Sequence, residues 1–233
     1  MSLAESPDMK LRFVAPLSFV LLFSLSSCLS AQEVDSQLWT QYLITGKWKN
    51  GLRILAEVQP RFGKNYGRTS RFLLRGAVGY QVSPEFSVWV GHAWTPTFTP
   101  EFNSEDRWYQ LLLWESHFPG FDLINRLRLE ERSISGAGGT SFRGTYRLRV
   151  EKPLDKKKRL SGILYDEFLW NLNSTPRGAV MGFDQNRTFF GLGYKLTGHT
   201  KMEAGYLVNF TDVPSPRRDQ RADILFLSLN YNL

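Results

Sequence analysis

From Gln32 to the C-terminus, apolar and polar residues alternate with a period of two. Leu52, Ile54, Ala56, Val58 and Phe62 fall on one face, and Arg53, Glu57, Gln59 and Arg61 on the other. Phe142, Tyr146, Leu148 and Val150 oppose Arg143, Thr145, Arg147, Arg149 and Glu151. The same holds for Leu164, Phe168 and Trp170 against Tyr165, Glu167 and Asn171, and for Met202, Ala204, Tyr206, Val208 and Phe210 against Glu203 and Asn209. Successive side chains of a strand point to opposite faces, so each segment reads as an amphipathic strand and not as a helix. Strands of soluble proteins are usually about five or six residues long. These segments are about twice that, the length a tilted strand needs to cross a bilayer. After residue 31 no run of eighteen apolar residues occurs. A closed barrel is then the membrane-spanning structure that satisfies its own backbone groups. A soluble sandwich with one solvated face is the alternative.

The ends of the segments agree with a barrel. Trp39, Trp48, Tyr80, Trp94, Trp108, Trp114, Trp170 and Tyr194 gather near them, as in the aromatic girdles at the two membrane interfaces. Tight links at Ser83-Pro84, Pro119-Gly120 and Thr197-Gly198-His199 alternate with longer ones at 63–69, 96–104, 133–140, 173–181 and 212–221. Leu225, Leu227, Leu229, Tyr231 and Leu233 alternate down to the terminus. Leu229, Tyr231 and Leu233 resemble the terminal signal read by the barrel-assembly machinery, with Leu in place of the usual terminal Phe. Eleven candidate strands can be counted: 37–45, 51–62, 70–82, 85–95, 105–116, 121–133, 141–151, 159–172, 183–196, 200–211 and 222–233. Single-chain bacterial barrels have even counts, so ten or twelve strands are expected, with the first segment the weakest. The predicted fold class is all-β, an antiparallel up-and-down transmembrane barrel of about 10–12 strands.

Residues 1–31 read as a secretory leader, with Met9 as a possible later start. Lys10 and Arg12 form the basic region, Phe13 to Leu25 the apolar core, and Ala31 the small residue at the cleavage position. Cys28, the single cysteine, lies in a lipoprotein-like box and would carry a lipid if that box were used. Cleavage after Ala31 leaves a cysteine-free barrel domain over 32–233, bound for the outer membrane of a Gram-negative bacterium.

Lys and Arg number 29 against 22 Asp and Glu, a formal charge of +7. The basic residues are not clustered but recur on one face of successive segments. Charge facing lipid is costly, so in a barrel this face lines the lumen. The lumen candidates are Glu57, Arg61, Arg71 and Arg75; Arg126, Arg128, Glu130 and Arg132; Arg143, Arg147 and Arg149; and Glu167, Arg187 and Glu203. Adjacent rows of opposite sign can pair across strands into a structural network that fills the barrel. The alternative is a narrow channel biased to anions, because inward Arg outnumber inward acids.

Chemistry-bearing motifs are sparse. An acyl hydrolase or transferase on a barrel wall needs a nucleophile, a base and an orienting group within reach. His92 lies in an apolar segment, while His117 and His199 lie in links, and none has the spacing of a triad member. The expectation is a non-enzyme. No His or Cys pair suggests a metal, and no cofactor is expected. Gly191 and Gly193 suit a smooth strand, not a phosphate loop. Lys156-Lys157-Lys158-Arg159 reads as a solvated turn whose charge suits anionic head groups, and nucleic acid is not an expected partner. The expected partners are outer-membrane lipids, lipopolysaccharide and the assembly machinery.

Several motifs together resemble the DUF2490 family of bacterial outer-membrane proteins. They are Arg126-Leu127-Arg128-Leu129-Glu130-Glu131-Arg132, Arg147-Leu148-Arg149, Tyr165-Asp166-Glu167-Phe168, Phe183-Asp184-Gln185-Asn186-Arg187 leading to Gly191-Leu192-Gly193-Tyr194, and Gly205-Tyr206. The resemblance runs from about Trp39 to the end. It implies an outer-membrane barrel and brings no activity and no catalytic residue.

Overall fold

A computed structural model describes residues 33–63, 66–98, 101–213 and 219–233. The leader expected over 1–31, with Met9 and Cys28, lies outside the described residues. The strands are β1 (Glu33–Lys47), β2 (Leu52–Gly63), β3 (Arg68–Gln81), β4 (Phe86–Thr97), β5 (Asn103–Phe118) and β6 (Phe121–Ile134). They continue with β7 (Thr140–Pro153), β8 (Leu160–Asn171), β9 (Gly182–Lys195), β10 (Thr200–Thr211) and β11 (Gln220–Asn232). Each pairs antiparallel with its neighbours in sequence, and β1 closes the barrel on β11.

The even strand count expected above is corrected, because all eleven segments stand in the wall. In a meander with an odd number of strands, the first and last reach the seam pointing the same way. They can then pair only in parallel, and β1 and β11 do so in continuous register from Glu33↔Gln220 to Thr45↔Asn232. The segment with the weakest alternation is thus an integral strand of 15 residues. Closure removes the free edges that an open sheet would expose.

Links 48–51, 82–85, 119–120, 154–159 and 196–199 lie at the end of the barrel where β11 finishes. The links predicted as longer from the sequence connect strands at the other end, and of these the β8–β9 link (172–181) and the β10–β11 link (212–219) exceed every link at the first end. The two-residue turn at Pro119-Gly120 needs a left-handed residue, and Gly120 supplies it with φ +97°. Phe118 and Phe121 stack across that turn with ring centroids 4.9 Å apart.

The outer face carries exposed aliphatic side chains such as Val58, Leu74, Val78, Val90, Leu112, Leu127, Leu164 and Leu192. Trp48, Tyr80, Trp114 and Tyr194 flank them at the short-link end, and Trp94, Trp108 and Phe102 toward the other. Trp39 is a correction to this girdle, because it points inward and is 5% exposed. The interior also holds two apolar clusters. One joins Trp39, Ile163, Tyr165, Phe189, Leu207, Ile224 and Phe226, and the other Leu73, Trp89, Ala93, Tyr109 and Leu111. The interior is therefore not lined by Arg and Glu alone. Gly191 and Gly205 make room for the first cluster. A Cβ at Gly191 would lie 2.5 Å from the Phe189 ring, and one at Gly205 2.6 Å from it.

Candidate functional site

The polar face of the strands turns into the barrel. Glu57, Arg61, Arg128, Glu130, Arg132, Arg143, Glu167 and Glu203 are buried there. Arg71, Arg75, Arg126, Arg147, Arg149 and Arg187 are partly buried on the same inward positions. All fourteen lumen candidates thus lie on the interior face. Three ion pairs follow the cross-strand register, as expected for facing rows of opposite sign. Arg75 pairs with Glu57, its register partner. Arg143 Nε donates to Glu130 Oε2 at 2.7 Å, and Arg187 Nη1 to Glu167 Oε2 at 3.0 Å, again in register.

Other pairs leave the wall and cross the interior. Arg126 on β6 reaches Glu167 on β8. Arg143 on β7 donates to Asp184 Oδ2 on β9 at 2.9 Å. Arg149 on β7 meets Glu203 on β10 at 2.7 Å. Lys201 then joins Glu203 at 3.1 Å and Glu151 at 2.5 Å, and Arg149 also holds Glu151 at 2.8 Å. Toward the long-link end, Arg132 and Arg107 share Glu105, Arg107 with two bonds of 2.7 and 2.8 Å.

Three of the lumen arginines are held without a carboxylate among the described residues. Arg61 bonds to Gln59 Oε1 at 2.8 and 2.6 Å and stacks 3.6 Å above the Trp39 ring. Arg71 donates to Thr97 Oγ1 at 3.0 Å. Arg147 lies 5.2 Å from the centre of the Tyr165 ring. A cation over an aromatic face is attracted by the ring quadrupole, more so when water is excluded. Tyr109 serves Arg75 and Arg128 in the same way, at 6.0 and 5.8 Å.

A cavity of about 70 Å³ lies in the centre, lined among others by Glu57, Arg75, Arg126, Arg128, Arg147 and Glu167. Trp39, Tyr109, Glu105, Arg107 and Asp184 take part in this arrangement and were not among the lumen candidates. Glu105, Arg107 and Tyr109 share one face of β5, so alternation could have found them. Asp184 sits beside the register shift between Leu169 and Trp170, and no periodic pattern marks it.

The remaining candidate residues lie elsewhere. Leu229, Tyr231 and Leu233 are exposed on the outer side of β11, and the Leu233 amide bonds to the Thr45 carbonyl at 2.8 Å. His92 faces outward, 3.1 Å from Asp106. His117 meets Asp122 at 2.7 Å beside the tight turn, and His199 the Asn232 carbonyl at 2.9 Å. Among the described residues no group of three or more His, Cys, Asp or Glu could hold a metal ion.

A family model described as a protein of unknown function, DUF2490, matches residues 36–220. An uncharacterized protein of Methylorubrum extorquens is 32% identical over 196 residues, covering 82% of this chain and 86% of that protein. Among solved structures, the outer-membrane expressed OmpT of Vibrio cholerae aligns with a TM-score of 0.41 at 11% identity. That alignment covers 69% of this chain, which spans about half the length of OmpT (55%).

Proposed function

The chain belongs to DUF2490, a family described as of unknown function, and from that premise we propose that it is an outer-membrane barrel sealed by its own side chains. It serves as a structural or partner-binding barrel and not as a solute channel or an enzyme. The observation that carries this reading is the filled interior. Ion pairs run across the lumen from β6 to β8 and from β7 to β9 and β10, and the cavity at their centre is about 70 Å³. Barrels of eight strands are just filled by side chains, and porins of sixteen or more leave a channel. With eleven strands, long arginines and inward aromatic rings supply the extra filling.

The outer face supports the membrane location. Outward positions Leu52, Ile54, Ala56, Val58, Pro60 and Phe62 of β2 are all apolar. At the usual rise and tilt such a stretch is about 25 Å tall, the height of the apolar band of outer-membrane barrels. Exposed aromatics at both ends match interfacial girdles. The lipid partners are those of that membrane. The longer links at one end are the part of the molecule free to meet a protein partner. Against an enzyme stands the separation of the three His, whose partners are Asp106, Asp122 and a backbone carbonyl and include no hydroxyl nucleophile.

Two measurements test the reading. The outer-membrane fraction, run on a gel with and without boiling, should show a band that shifts on heating. Recovery in the soluble periplasmic fraction without a shift would overturn the membrane location. The refolded barrel in a planar bilayer should give no stepwise conductance. Steady anion-selective steps would overturn the sealed interior in favour of a channel.

A further inference from the structure

The central cavity is lined by seven arginines, including Arg126, Arg128 and Arg147, but only three glutamates. Each of those carboxylates is already engaged. Glu57 holds Arg75, Glu130 is shared by Arg128 and Arg143, and Glu167 by Arg126 and Arg187. Arg147 stands opposite Glu167 on one side and Arg126 on the other in the strand register, yet makes no ion pair among the described residues. Two like charges directly opposite destabilise a strand pair, and an uncompensated charge held from water costs more.

The donors point to what relieves this. The Nε atoms of Arg126, Arg128 and Arg147 are shielded from solvent and make no hydrogen bond among the described residues. Arg128 Nε is 3.0 Å from Glu130 Oε1, but its N–H is not directed along that line. Tyr165 and Tyr109 cover ring-facing sides of Arg147 and Arg128, which leaves the in-plane donors uncovered. A planar guanidinium presents its donors as a fork that suits the oxygens of an oxyanion. The open space, about 70 Å³, is several times the roughly 10–15 Å³ that a single water needs by the same measure.

We propose that the barrel interior binds one small inorganic oxyanion, of the phosphate or sulfate class, between the guanidinium groups of Arg126, Arg128 and Arg147. An oxyanion presents several acceptor atoms spread over its own width and so bridges the donor forks of two strands, where a halide offers a single atom. It also offsets the surplus of cations at the centre of the network. The anion is a structural ligand of the sealed barrel.

The test uses the full barrel refolded into detergent in buffers of equal ionic strength containing chloride, sulfate or phosphate. The unfolding midpoint of the parent should rise and saturate at low millimolar sulfate or phosphate, and not respond to chloride. General salt exclusion also stabilises proteins but does not saturate there. Arg147→Gln should lose the saturable rise, and in oxyanion-free buffer should be at least as stable as the parent. Arg147→Lys keeps the charge without the fork and should bind at least tenfold more weakly. Equilibrium dialysis of the refolded parent against phosphate should approach one phosphate bound per chain at saturation. No saturable rise, an equal response to chloride, or an undiminished response in Arg147→Gln would each overturn the site. The result is read in detergent, so it stands or falls separately from the conductance that tests sealing.

Discussion

Arg149 and Glu203 meet at 2.7 Å although β8 and β9 stand between their strands in the wall. A contact of that kind is possible only where the barrel is narrow enough for side chains to span it. It ties β7 to β10 without backbone pairing, and Lys201 and Glu151 extend it into a cluster of two cations and two carboxylates. The charges balance within the cluster, unlike the surplus around the cavity.

That balance sets the outcome of a double-mutant cycle. Glu203→Ala leaves Arg149 and Lys201 with Glu151 alone, and Arg149→Ala strands the carboxylates in the same way. Each single change should cost about 3–5 kcal/mol, as when one partner of a buried pair is removed. The double variant removes both signs and leaves Lys201 with Glu151. It should cost less than the sum of the two by more than about 1 kcal/mol. Urea unfolding in detergent measures this. Additive costs would show that the pair does not couple across the lumen.

Phe189 makes a second, apolar, demand on the same interior. It is fully buried, stacks on Tyr165 at 4.9 Å and meets Phe226 edge-on at 5.6 Å. Gly191→Ala would push a methyl group within 2.5 Å of its ring and 2.4 Å of the Ala204 carbonyl oxygen. Overpacking of this kind costs about 1–3 kcal/mol. Phe189→Leu in the same chain should recover part of the loss by vacating the ring. If Gly191→Ala unfolds at the parent's midpoint, the ring does not need that space.

Alternation made the wall legible where one face is charged. Around Arg143 and Arg147 or Glu57 and Arg61 the period is unbroken, and the strand ends fall close to the structure's own. Where both faces are apolar it still sorts residues into faces, as with Leu225, Leu227 and Leu229, but does not say which face turns inward. In β11, Ile224 and Phe226 are buried inside while Leu225 and Leu227 are exposed outside, and nothing in their chemistry separates them. Trp39 read as a girdle residue for the same reason, since an aromatic near a strand end suits either face. Inside, it lies against Arg61, its register partner on β2, and near Arg187 from β9, contacts that no local pattern marks. The cross-barrel pairs were illegible because they depend on diameter, which follows from strand number and closure and not from any local pattern. Strand parity misled because the even-count rule assumes an antiparallel seam.

The link between β10 and β11 carries a pH response. Asp212 lies beyond the end of β10, its amide bonded to the Asp184 carbonyl at 3.0 Å. Local desolvation, followed by the neighbouring Asp219 carboxyl, pushes the Asp212 carboxyl above the usual aspartate range. A carboxyl raised in the folded state favours the fold in its protonated form. That contribution is present below the unfolded value and is lost as pH rises through the window up to the raised value. Carboxyl carbon NMR should show Asp212 titrating above free aspartate, and Asp219→Asn should bring it down. A normal midpoint in the parent would refute the coupling.

Tyr231 and Leu233 test whether the end of β11 is read during assembly or only packed in the product. Both side chains are exposed on the outer face, while the strand's pairing with β1 and β10 runs through its backbone. The Leu233 amide bond to Thr45 does not depend on the side chain. Tyr231→Ala combined with Leu233→Ala should therefore change refolding in detergent by less than about 1 kcal/mol, as expected for surface positions. In cells the same variant should reach the outer membrane several-fold less well, measured by the heat-shifted band in the membrane fraction. Equal losses in detergent and in cells would mean that the two residues stabilise the seam and carry no separate signal.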